Sequence, residues 1–310
     1  MINLEPINQI KLYGLDNYFL ELVSLYKKNN FPNKLLLSGI KGSGKSTLAF
    51  HFINYVLSKD EKFNYSLKDF QINPENKSFK TIMNKSNPNL NIIDVKIDKK
   101  SIDINQIREL IISLNKSSFN DKPRFVLIDN IEFLNTNSIN ALLKFLEEPN
   151  YNVYFILIHN NKIVLPTLLS RCINYKISLS NKEVLEIANK ILDGKLSENI
   201  NIELVNYYLT PGNIYNLVKF AKLNDYDLSN FYLKDFLKTL IRENHFKKNI
   251  LIKNMFFDLI EFYFTKISFS LSINIFEKYS LFLKKKSEIK KYNLDEESLF
   301  IEFEEEILNV

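Results

Sequence analysis

A chain of 310 residues with 45% apolar and 25% charged side chains is long enough for two or three cores and too apolar to be disordered. Its net charge of +5 is modest and widely spread, which permits contact with nucleic acid without establishing it. A single cysteine, Cys172, excludes an intramolecular disulfide and a multi-cysteine zinc site, and no run approaches 18 uninterrupted apolar residues. A cytoplasmic protein with no membrane partner is therefore expected.

Leu15, Phe19, Leu22, Val23 and Tyr26 recur at helical spacing over residues 15–29, and Pro32 punctuates the entry to an apolar strand at Leu35. From there Leu35 to Thr47 reads Leu-Leu-Leu-Ser-Gly-Ile-Lys-Gly-Ser-Gly-Lys-Ser-Thr, a strand, a glycine loop and a helix start. Gly39, Gly44, Lys45 and Ser46 fall on the spacing G-x-x-x-x-G-K-[ST]. In such a loop backbone N–H groups wrap a polyphosphate, the lysine meets the β/γ oxygens, and the hydroxyl sits on Mg²⁺. The expected site for ATP with Mg²⁺ comprises Gly39, Lys41, Gly42, Ser43, Gly44, Lys45, Ser46 and Thr47, with the helix dipole from Ser46 adding to it. Three of only six glycines in the chain lie here.

Leu48, Ala49, Phe52, Ile53 and Val56 share one face of the helix that follows, which should pack on the sheet. Residues 58–89 are polar and Asn/Lys-rich, with Pro74 and Pro88, and read as a loop or poorly specified insertion. A β-branched run at 91–97, a helix at 104–114, an apolar strand Arg124 to Asp129, a helix at 137–146 and a strand at 153–158 then alternate. Such alternation indicates an α/β domain with a parallel sheet covered on both faces. Beyond Ile173 the pattern suggests helices only: 182–192, 202–209 and 214–223, then long Phe/Ile/Leu-rich helices from about Leu228. Asp258, Glu261 and Lys266 interrupt the aromatic stretch Met255 to Leu271, so a buried bundle helix is expected there rather than a membrane span. The basic run Lys284, Lys285, Lys286, Lys290 and Lys291, and the acidic runs Asp295 to Glu297 and Glu302 to Glu306, read as solvated helix faces.

Asp129 ends its strand in the manner of a Walker B acid, which holds Mg²⁺ beside the phosphates, so Ser46 and Asp129 are the expected metal contacts. An ATPase of this design carries a glutamate next, to deprotonate the attacking water. Here the residue is Asn130, whose amide holds a water but cannot take its proton. Glu132, two residues on, need not point at the nucleotide. Nucleotide binding without efficient turnover is expected. His51, His159 and His245 show no metal spacing and read as structural.

Asn137 to Pro149, Asn-Ser-Ile-Asn-Ala-Leu-Leu-Lys-Phe-Leu-Glu-Glu-Pro, and Leu165 to Cys172, Leu-Pro-Thr-Leu-Leu-Ser-Arg-Cys, resemble the "NALLK-LEEP" and "SRC" signatures of bacterial clamp-loader subunits of the AAA+ superfamily. Asn87 to Ile92 resembles the same family's "HPDL" segment with its histidine replaced. The resemblance covers roughly the first 220 residues. It implies an AAA+ α/β domain over 1–176, a helical lid over 177–225 and a C-terminal helical collar over 226–310. It also implies a heteropentamer with gamma/tau and delta subunits that opens a sliding clamp and places it on primed DNA.

Three departures from the motor subunits favour the delta-prime branch. Asn130 replaces the catalytic glutamate, Gly212 in Thr210-Pro211-Gly212-Asn213 stands where a motor has its sensor 2 arginine, and four zinc cysteines are missing. The family places the "SRC" arginine, here Arg171, at the ATP of the neighbouring subunit, with Ser170 and Cys172 setting the turn beneath it. Sensor 1 would be His159 or Asn160. The resulting expectation is a stator that gives Arg171 in trans; the rivals are an active gamma/tau-type motor and a free-standing nucleotide kinase or DNA-binding switch.

Overall fold

The computed structural model describes residues 4–96, 99, 101–117, 120–147, 152–160, 166–205, 209–248, 250–268, 273–292 and 294–309. The chain divides into two compact units, one of residues 1–191 with 210–212, the other of 192–209 with 213–310.

The first unit is built on five strands, β1 (Lys34–Ser38), β2 (Leu90–Ile93), β3 (Arg124–Ile128), β4 (Val153–His159) and β5 (Ile173–Lys176). All pair in parallel, in the spatial order β2-β3-β4-β1-β5. Seven helices accompany them: α1 (Asp16–Lys27), α2 (Lys45–Leu57), α3 (Lys77–Met83), α4 (Ile104–Leu114), α5 (Thr136–Glu147), α6 (Pro166–Leu169) and α7 (Asn181–Ile191).

The strand period of two sorts the core into two layers. Leu35, Leu37, Phe125, Leu127, Ile156 and Ile158 point to one face and pack with Phe19 of α1, Phe52 of α2 and Phe79 of α3. Leu36, Val126, Ile128, Phe155 and Leu157 point to the other, with Ile107 and Leu110 of α4 and Leu142 and Leu146 of α5. Burial on both faces is why β3 reads as a continuous apolar run. An Asp103–Gln106 capping box starts α4, satisfying two backbone N–H groups reciprocally.

Two expectations for this unit are corrected. Residues 58–89 are not a poorly specified insertion: Asn76 caps α3, its side chain accepting from Phe79 N at 2.7 Å, and Tyr65, Ile72, Phe79 and Ile82 join the core. Nor is the chain purely helical beyond Ile173. β5 adds an edge to β1, with Leu35 opposite Ile173 and Ser38 opposite Lys176. Three of its four residues are exposed, so it has no apolar alternation to read. A polar tie replaces it, Ser38 Oγ donating to Asn174 Oδ1 at 2.6 Å.

The described elements of the second unit are helical: α8 (Leu196–Asn199), most of α9 (Pro211–Leu223), α10 (Leu233–Arg242), α11 (His245–Lys248), α12 (Ile250–Ser268), α13 (Ile273–Tyr292) and α14 (Glu297–Phe303). A helix was expected over 202–209; Ile202–Leu204 is instead a single 3₁₀ turn, and 206–208 lie outside the described residues. Phe256 and Phe257 of α12 meet Phe300 of α14 with ring centroids 4.7 and 5.1 Å apart, so the aromatic stretch is core. No helix among the described residues is long and apolar enough to cross a membrane. The charged runs read as solvated faces, and Lys284, Lys291, Glu305 and Glu306 are exposed; some members also tie helices together, Glu296 to Lys253 at 2.9 Å and Lys286 to Glu261 at 2.7 Å.

Candidate nucleotide site

The loop between β1 and α2 has the backbone a phosphate cradle requires. Gly42 (φ 86°) and Gly44 (φ 88°) are left-handed while Ser43 and Lys45 are not, an alternation that turns successive N–H groups toward one side. Gly39 (φ 148°) makes the turn out of β1, and a Cβ there would lie 2.4 Å from Ile177 O.

Lys45 is 3% exposed, and its Nζ donates to Gly39 O at 2.9 Å and Ile40 O at 2.7 Å. Burial pushes its ammonium down to about 8, against the opposing pull of Asp129 and Glu132, with Lys41 adding to the fall. Ser46 Oγ donates to Asp129 Oδ2 at 2.5 Å, joining the two groups expected on the metal. Burial raises the Asp129 carboxyl, and nearby Asp94 adds to it; the Ser46 bond, the Asn130 N–H and Lys45 oppose. A half-buried carboxylate next to a hydroxyl and a buried lysine fits a Mg²⁺–triphosphate, whose charges would compensate both. The group would be held by the loop N–H groups and Lys45 on the phosphates, with Ser46 and Asp129 on the metal. Bound there, Mg²⁺ would neutralise charge on the phosphate oxygens.

Asn130 sits in the left-handed region at φ 56°, directly after Asp129. Its Nδ2 donates to Asp94 Oδ1 at 2.8 Å, and its Oδ1 accepts from Asn160 Nδ2 at 2.9 Å. Asn160 Nδ2 also donates to Glu132 Oε1 at 3.1 Å. A polar chain thus runs Asp94–Asn130–Asn160–Glu132 across the ends of β2, β3 and β4. Of the two sensor 1 candidates, Asn160 faces Asn130 and Glu132, while His159 continues β4 opposite Ser38. From its place in sequence Glu132 need not point at the nucleotide; in the structure its carboxylate reaches Asn160 and its charge reaches Lys45. Asp94 was missed altogether; the only signal was an acid at the end of a β-branched run.

The remaining site residues of the sequence reading divide in two. Lys41 is exposed on the loop, and Thr47 lies partly buried in the first turn of α2. Arg171 is elsewhere. It follows α6 and precedes β5, whose start is level with Leu35, whereas the cradle lies beyond Ser38 at the other end of β1. At about 3.3 Å per residue the two are roughly 13 Å or more apart. Its side chain is 34% exposed, Nη2 donating to Glu147 Oε1 at 2.7 Å and Nη1 to Thr167 O at 2.8 Å. Beside it, burial raises the Cys172 thiol to about 11, which keeps it from acting as a nucleophile. Glu148, Pro149 and Leu165 of the two signature segments lie outside the described residues.

The profile of the family described as "DNA polymerase III, delta subunit" matches residues 15–181. The DNA polymerase III subunit gamma/tau of Mycoplasma genitalium is 31% identical over 201 residues, 64% of this chain and 32% of that protein. The subunit delta' of Buchnera aphidicola subsp. Baizongia pistaciae is 29% identical over 177 residues, 54% of this chain and 51% of that protein. The chain therefore spans about a third to a half of the length of these relatives. Among solved structures, a DNA polymerase III gamma subunit-related protein from Thermotoga maritima is 18% identical with a TM-score of 0.49, covering 90% of this chain and 96% of that one. With more than half of its length inside that profile, the chain belongs to the family described as DNA polymerase III, delta subunit.

Proposed function

We propose that the chain is the delta-prime-like stator of a DNA polymerase III clamp loader, binding Mg²⁺–ATP with little or no turnover and giving Arg171 to the site of an adjoining subunit. The observation that carries this reading is Asn130. Its amide donates to Asp94 and accepts from Asn160, so both polar ends are engaged, and it has no basic atom to accept a proton from water. The half-exposed Arg171, a strand length from its own cradle, agrees with action on a neighbour. The partners would be gamma/tau and delta subunits in a heteropentamer, with sliding clamp and primed DNA engaged through the complex in the cytoplasm. The second unit would then supply much of a helical lid over 177–225 and a collar over 226–310.

Glu132 favours one alternative, a gamma/tau-type motor, because its carboxylate stands near Lys45 and bonds Asn160. A steady-state assay on the purified chain separates the two. The stator binds Mg²⁺–ATP, loses that binding in Lys45→Ala, and hydrolyses little. Turnover of ordinary motor size, abolished by Lys45→Ala and by Glu132→Gln, would establish the motor instead.

A further inference from the structure

We infer that Thr210 and Gly212 are positioning residues for the phosphate cradle, bracing its peptide planes from outside in place of a sensor 2 side chain; this rests on the nucleotide-binding reading. Thr210 is 4% exposed, and its Oγ1 donates to Lys41 O at 3.0 Å. Gly212 N–H donates to Gly42 O at 3.1 Å. The residues lie far apart in sequence, yet 210–212 pack as part of the same unit as the loop.

In a trans peptide the C=O and the next N–H point in opposite directions. Holding Lys41 O therefore sets the direction of the Gly42 N–H, and holding Gly42 O sets that of Ser43. The two carbonyls held from outside are those of Lys41 and Gly42, whereas Gly39 O and Ile40 O turn inward to Lys45; bonds made to Lys41 O and Gly42 O leave the N–H groups of Gly42 and Ser43 on the opposite side of their peptides. Ser43 N–H makes only a long turn bond, 3.3 Å to Ile40 O. Gly42 is flanked by Lys41 and Ser43 with no side chain of its own, so without outside contacts its two peptide planes are the freest in the loop.

Gly212 is required by closeness rather than by φ. A Cβ there would stand 3.0 Å from both Gly42 Cα and Gly42 O, and backbone cannot yield as a side chain tip does. The departure at this position thus has a physical content. An arginine would enter the cradle wall, whereas glycine lets one backbone rest on another.

The test is the affinity of the full chain for a fluorescent Mg²⁺–ADP analogue, read by anisotropy, with the urea midpoint of each variant as a check on folding. Thr210→Val is expected to bind about three- to tenfold more weakly, the loss of one hydrogen bond to a preorganised loop, with Thr210→Ser restoring wild-type affinity. Gly212→Ala is expected to weaken binding similarly. Equal affinity in Thr210→Val and wild type would overturn the brace while leaving the nucleotide reading intact. Tighter binding in Thr210→Val would overturn it in favour of a plug. A wild-type chain that binds no analogue would overturn the nucleotide reading and the brace together.

Discussion

His51 shows what one buried side chain sets for the fold. It is fully buried in α2, its Nδ1 is 2.9 Å from the Tyr65 hydroxyl, and burial lowers its pKa from 6.5 to about 3. The unfolded chain therefore takes up a proton below pH 6.5 that the folded chain refuses until about pH 3. Stability falls as pH drops through that window, at about 1.4 kcal/mol per pH unit. Between pH 7 and pH 5 this residue alone should cost about 2 kcal/mol in urea unfolding. In His51→Gln, which still reaches toward Tyr65 and does not titrate, that part of the slope should vanish. Asn130 sets a limit of another kind. Replacing it by glutamate supplies a base but puts a carboxylate beside Asp94, loses the donor to it, and places a residue that tolerates φ 56° poorly where asparagine is at ease. Asn130→Glu alone is expected to raise hydrolysis little, and motor-like turnover in that variant would mean that the site lacks nothing but a base.

At the scale of elements, α3 tests whether a polar stretch can be structural. Asn76 is fully buried, caps the helix through Phe79 N, and donates to Phe63 O at 3.0 Å. Asn76→Ala should lower unfolding free energy by about 2 kcal/mol, the sum of a lost cap and of the buried Asn54 amide left without this partner, read as a fall in urea midpoint at unchanged slope. Its composition hid this helix: Phe79, Ile82 and Met83 are its three apolar residues, set among Lys, Ser and Thr and flanked by Asn, too few to set a period. The central strands were legible because burial on both faces leaves a continuous apolar run, and α2, α4 and α5 because one face repeats at helical spacing. β5 was not, since an exposed edge strand carries neither signal. The candidate site divides in the same way. Gly39 to Thr47 and Asp129 are contiguous or sit at a strand end, and could be read. Asp94, Asn160, Glu132 and Thr210 meet the site only because the sheet order β2-β3-β4-β1 gathers strand ends, and because 210–212 fold back on the loop. Spacing in sequence holds no record of either: Asn160 and Thr210 are legible only through the family resemblance, Glu132 only as a neighbour of Asn130, and Asp94 not at all.

Across the first unit as a whole, parallel strands give the sheet a direction, and that direction separates two chemistries. The cradle lies past the carboxyl end of β1, while Arg171 stands before the amino end of β5, a strand length away. One chain therefore cannot bring this guanidinium to its own phosphates without unpairing β5 from β1. It can present it to another molecule, since the side chain is partly exposed and its present partners, the Glu147 carboxylate and the Thr167 carbonyl, lie at the surface. An exposed pair of this kind is worth about 1 kcal/mol or less, so a triphosphate offered by a neighbour would displace Glu147 readily. If the proposed assembly is right, Arg171→Ala should leave Mg²⁺–nucleotide affinity of the isolated chain unchanged and the complex assembled, while hydrolysis at the adjoining site falls by about 10³-fold. Arg171→Lys should restore little of it, because a point charge does not reproduce two parallel N–H bonds to phosphate oxygens. Glu147→Gln, which weakens the ion pair and leaves the guanidinium intact, should not lower the rate. A complex that keeps full activity with Arg171→Ala would mean that the arginine serves only Glu147 and the turn it closes, and the stator reading would lose its active residue.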